Sequence, residues 1–150
     1  MINDRFTKGV IGGISGAIIQ NIYAHFAKLL GFTNTNYLDV AQAVLLNSDY
    51  QGFFAILVSF FGQLVIDSFW GVVFVFLIIK ISEEYLIFKG IVFGLGIWFL
   101  VRVIITKFFN LPVLSNNTPE IALFFFIGAA LYGITQALVQ KLFENQKANR

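Results

Sequence analysis

Apolar positions along this chain fall into four long blocks parted by short polar ones, with no strand-like alternation inside the blocks. The blocks run over residues 9–30, 53–81, 86–106 and 121–142. A helix needs roughly 20 mostly apolar residues to cross a bilayer, and each block meets that length. A strand reading would need apolar and polar residues to alternate, and a membrane barrel would need many alternating segments of about ten residues. The expected fold is therefore all-α, a polytopic membrane protein with four transmembrane helices, in one domain covering residues 1–150. The segment Tyr37–Leu46 is too short to cross and predicts a short interfacial helix, or a lid, with Asn36 capping its start and Asn47 its end. Pro119 suits the first turn of the fourth helix. The polar tail after Leu142 is expected to fray.

The first block follows Asp4, Arg5 and Lys8 and so has the outline of a signal peptide. Gln20, Asn21 and His25 interrupt its apolar run, and no small-x-small cleavage site follows, so it reads as a first transmembrane helix. Composition points the same way. Hydrophobic residues make up 58% of the 150 residues and charged residues 12%, with a mean hydropathy of +0.82. Soluble domains carry about 25% charged residues. Too little charge is present to cover a water-soluble globule, which argues against a soluble enzyme, a disordered tail or a nucleic-acid partner. The net charge of +2 reflects few charges, not a basic face.

The chain has no cysteine, which excludes disulfides, thiolate metal sites and cysteine nucleophiles. It lacks the GxSxG, P-loop and His-Glu zinc patterns. The expectation is a protein without catalytic residues, cofactor or metal. Glu83-Glu84 reads as a solvated turn. Asn116-Asn117-Thr118 fits a glycosylation sequon, a short pattern that often arises by chance.

Basic residues set the orientation. Of the ten Lys and Arg, seven (Arg5, Lys8, Lys80, Lys89, Lys141, Lys147 and Arg150) fall on the side of the two termini, and Lys28, Arg102 and Lys107 fall on the other. By the positive-inside rule both termini are expected in the cytoplasm.

Two sets of residues carry the remaining information. Gly9, Gly12, Gly13 and Gly16 in the first block, Gly90 and Gly94 in the third and Gly133 in the fourth stand at small-xxx-small spacings. Such spacings let helix backbones approach closely where lipid supplies no hydrophobic drive. They serve either packing within the chain or a homodimer seam. Polar residues inside the blocks are costly and therefore informative. At ~1.5 Å per residue, Asp67 is ~20 Å from the inner end of its block and Arg102 is at a similar depth. Gln20 and Asn21 lie near the same level, with Gln63 and His25 further out. An Asp67–Arg102 pair is the expected centre of this layer; if Arg102 instead snorkels to the outer interface, Asp67 is expected to carry a proton and to hydrogen-bond with Gln63 or Asn21. It serves either as a register-fixing element or as part of a polar cavity for a proton, ion or small solute. Trp70 and Trp98 read as interface-belt and packing residues.

The stretch Gly12-Gly-Ile-Ser-Gly-Ala17, followed by Gly62 and Asp67, resembles the start of the four-helix fluoride channels of the CrcB/Fluc type. The second-helix position here is Asp where that family has Asn, the Thr-Thr-Phe-Ser segment is missing and the outer loop is longer, so that activity is not carried over. The Gly-rich first span ending in Gln20-Asn21, Tyr37-Leu38-Asp39, Phe88-Lys89-Gly90 and Leu131-Tyr132-Gly133 resemble a group of small four-span membrane proteins of low-GC, spore-forming bacteria. That resemblance implies residence in the bacterial cytoplasmic membrane and no particular activity. The expected role is structural or interaction-based, among membrane lipids and in a homo-oligomer or with another membrane protein. The alternative is a small transporter or channel unit built on the Asp67 layer.

Overall fold

The computed structural model describes residues 4–46, 52–79, 84–104, 108 and 118–148. Their regular structure is all helical, with no strand among them. Among them five helices follow in order: α1 Arg5–Leu29, α2 Tyr37–Leu46, α3 Phe53–Phe74 continued by a π-helical turn Val75–Ile79, α4 Leu86–Ile104 and α5 Pro119–Ala148. Three stretches are long and apolar enough to cross a membrane: Phe53–Leu77, Leu86–Ile104 and Pro119–Asn145.

The ends of α1 and α2 follow from local chemistry. The Asp4 carboxylate accepts from the Thr7 amide at 2.7 Å and the Phe6 amide at 3.3 Å, satisfying two donors that a helix start leaves open. Helix α1 therefore starts before the apolar block does. It stops in a Schellman turn: the Phe32 amide donates to the Ala27 carbonyl and the Gly31 amide to that of Lys28. Gly31 takes φ +77°, a left-handed conformation that glycine adopts without a Cβ penalty. Asn36 caps α2 as its sequence predicts, and the cap is reciprocal. The Asp39 amide donates to Asn36 Oδ1, and the Asn36 amide donates to Asp39 Oδ2, each at 2.9 Å. Lys28 Nζ reaches the same Asp39 oxygen at 2.7 Å and ties the end of α1 to the start of α2. Pro119 opens α5 behind Thr118, whose hydroxyl accepts from the Ile121 amide at 3.5 Å. Asn47, Asn116, Asn117, Glu83 and the ends of the second and third apolar blocks lie outside the described residues.

The polar tail does not fray where expected. Helix α5 runs on to Ala148. Its extra turns have partners: Lys8, 6% exposed, is 3.3 Å from Glu144 and stands over the Phe143 ring at 5.7 Å.

Helix α5 packs against both α1 and α4, α1 packs against α3, and α2 lies on α3. Neighbouring long helices run antiparallel, because Gly9 meets Val72 where Gly13 meets Asp67, and Gly90 meets Gly133 where Gly94 meets Ala129. Close approach depends on glycine. A Cβ on Gly13 would strike the Asp67 backbone, one on Gly71 the Gly9 backbone, and one on Gly90 the Gly133 backbone. Gly12 and Gly16 face α5, where a Cβ would come within 2.9 Å of Gln140 Nε2 and 2.6 Å of the Tyr132 ring. Each glycine expected to pack helices faces another helix of the same chain. The outside is studded with Phe, Ile, Leu and Val, among them Phe54, Phe61, Val65, Phe99 and Leu123.

Candidate functional site

Helices α3 and α4 meet at one end, where Phe93 packs against Phe74 and Trp70 with ring centroids 5.2 and 6.4 Å apart. Toward the other end a cavity of about 410 Å³ opens among α3, α4, α5 and α1. That size lies within the range typical of small-molecule pockets, about 300–1,000 Å³. Helix α2 covers it. The Tyr37 hydroxyl at one end of α2 donates to the Phe125 carbonyl of α5 at 2.8 Å. Leu45 at the other end sits against Gly62 of α3. Val40, Ala41 and Val44 between them face the cavity. The apolar face of this short helix thus serves as a roof.

The cavity wall is largely apolar, with a small polar set: Gln20, Tyr37, Gln63, Asp67, Tyr132 and Arg102. Asp67 is held from two sides. Gly13 allows α1 to touch its backbone, and the Tyr132 hydroxyl of α5 donates to its backbone carbonyl at 2.7 Å. Gly16 in turn leaves room for the Tyr132 ring. Two glycines of α1 therefore set where the Asp67 side chain stands. Gln63, one turn earlier on α3, is within hydrogen-bonding reach of that carboxyl. Asp67 Oδ2 and Gln63 Oε1 are both buried, and neither has a hydrogen-bond partner. Buried acceptors are rarely left open, because each costs about 1–3 kcal/mol.

The expected polar layer is assembled in part. Gln20, Gln63, Asp67 and Arg102 share the cavity. The expected Asp67–Arg102 pair gives way to other contacts: Gln63 is the polar neighbour of Asp67, and the Arg102 guanidinium lies over the Trp98 ring, 5.7 Å from its centroid. Arg102 stands in the last turn of α4, one turn beyond Trp98, where stacking on the indole is closer to hand. Asn21 turns back to its own helix and donates to the Ala17 carbonyl at 2.9 Å. His25 is exposed and edges onto Phe26. Trp70 and Trp98, expected in interface belts and packing, both line the cavity.

A second polar feature goes beyond the expected layer. Tyr132, Gln136, Gln140 and Glu144 recur every four residues along α5 and face the glycine side of α1. Gln140 Nε2 donates to the Lys8 carbonyl at 2.8 Å, and Glu144 pairs with Lys8. Gln136 is fully buried, and neither of its amide atoms has a partner. The nearby Tyr132 hydroxyl donates instead to the Asp67 carbonyl. The signal for this feature is the spacing of four beside Gly133, which puts all four residues on one side of a helix.

Among known proteins, the family described as DUF6789, a family of unknown function, matches residues 3–150. No curated protein matches the chain, and no solved structure does. The chain belongs to the DUF6789 family.

Proposed function

We propose that this DUF6789 member is a four-span integral protein of the bacterial cytoplasmic membrane, with both termini cytoplasmic, and that it admits a small solute to the cavity at Asp67 as a transport or channel unit. The observation that carries the reading is a cavity beneath α2 lined by Asp67 and Gln63, each with a buried oxygen that has no partner. A register-fixing ion pair would have occupied Asp67. A purely structural role leaves the space beneath α2 without an account.

Membrane residence is supported by the apolar exterior and by the place of α1. Helix α1 is 25 residues long, ~37 Å at 1.5 Å per residue. It packs between α3 and α5, which are both long and apolar enough to cross, and this supports reading it as the fourth span. Its glycines, Gln20 and Lys8 lower its mean hydropathy and point inward, whereas Ile18, Ile19, Ile22 and Phe26 are exposed. The basic residues gathered near the termini support the orientation.

Proton and small-cation flux into proteoliposomes tests the role. The intact protein is expected to conduct, and Asp67→Asn is expected to lower the flux at least tenfold while still folding. Absence of flux from the intact protein, with the variant melting earlier, would return Asp67 to a packing role.

A further inference from the structure

We infer that the cavity takes an ammonium group carried on an apolar stem, with Asp67 and Gln63 as its acceptors. The inference rests on the cavity being a binding site and names what it binds. The polar groups at the buried end are committed unequally. The Tyr132 hydroxyl donates to the Asp67 carbonyl, and the Tyr37 hydroxyl donates to the Phe125 carbonyl. What these leave open is acceptor capacity, at Asp67 Oδ2 and at Gln63 Oε1, on a glutamine only 7% exposed. Asp67 and Gln63 line the cavity one helical turn apart on α3, and their two open oxygens lie just beneath its surface. Asp67 itself is half-buried in the cavity wall, so a ligand seated there meets its carboxyl group and is held best by a head that brings donors. An ammonium brings three and matches a carboxylate in charge.

The wall argues for the rest of the molecule. Apart from the small polar set the lining is apolar, with Ile66 and Trp70 of α3 and Ile97 of α4 in it. Trp70 offers an indole one turn from Asp67, and the face of an indole attracts a cation. The Trp98 ring already has a guanidinium over it. Asp67 is an acid set in this largely apolar lining, so a cationic head is drawn to its end of the cavity. A hydrated inorganic ion would gain little from such walls, whereas an amine with an apolar body uses both parts. Such a head can be borne by a free amine or by an ethanolamine-headed lipid.

The test uses the full chain in nanodiscs of choline-headed lipid. Calorimetric titration compares 2-phenylethylamine with 2-phenylethanol and 3-phenylpropionate, which keep the apolar body and change the head. The amine is expected to bind at least tenfold more tightly than either. Asp67→Asn and, separately, Gln63→Leu are expected to weaken the amine tenfold or more and to leave the other two unchanged. Should Asp67→Asn fail to fold, Gln63→Leu carries the comparison. Replacing part of the lipid with its ethanolamine counterpart is expected to weaken the titrated amine if the natural head is lipid-borne and to leave it unchanged if it is free. Equal or tighter binding of the alcohol or the acid would overturn the ammonium and leave the cavity as a solute site. No binding by any of the three would also overturn it, while the transport reading is judged separately by flux.

Discussion

Gln136 has its whole side chain inside the protein, and neither amide atom finds a partner. Replacing an unsatisfied buried polar group by an apolar one of similar shape is neutral or stabilising, because the desolvation of about 1–3 kcal/mol no longer has to be met. Gln136→Met is therefore expected to raise the melting temperature in micelles. Gln140→Met should lower it, since that side chain donates to the Lys8 carbonyl. A fall in both variants would mean that Gln136 has a partner when the protein is in lipid. Neither glutamine falls in the polar layer read from the sequence, because both lie nearer the inner end of their block than Asp67 does in its own. Asp67 stands out for the opposite reason. Its depth is legible, but its partner is not: matched heights on two helices do not say which way each side chain turns, and Arg102 has an indole one turn away.

At the scale of the helix, the glycines divide by what surrounds them. A side chain on Gly13 would strike the Asp67 backbone, whereas Gly96 meets nothing within 4 Å. Gly13→Val is expected to destabilise by about 1–3 kcal/mol or more, since packed backbones cannot give way. Gly96→Ala should stabilise by about 0.5–1 kcal/mol through the helical preference of alanine. Thermal unfolding of the two variants checks both signs, and an unaffected Gly13→Val would remove the close α1–α3 crossing. The helices themselves are legible because long apolar blocks have only one common solution in lipid. Helix α2 is legible in extent and in its Asn36 cap. Its use as a roof is not, because that depends on Tyr37 and Leu45 finding α5 and α3, contacts that sequence spacing does not encode. The tail beyond Leu142 departs from expectation for the same reason: its helicity is supported by Lys8, 136 residues away along the chain from Glu144.

At the scale of the molecule, the antiparallel order of the long helices puts the starts of α1 and α4 and the last turns of α5 at one end, with α2 at the other. The chain has no cysteine, so single-cysteine variants report sidedness directly. Asn34→Cys, beside α2, is expected to react with a membrane-impermeant maleimide added to intact cells. Thr7→Cys and Asn145→Cys are expected to react only after the membrane is opened. The reverse pattern would overturn the orientation drawn from the basic residues.

The same walls that enclose the cavity hold both tryptophans of the chain, Trp70 and Trp98. Indole emission from this protein therefore arises wholly beside that one space. Its colour and quenching report whether the space is wet, dry or filled, so the natural chain carries an optical gauge of its own interior and needs no dye.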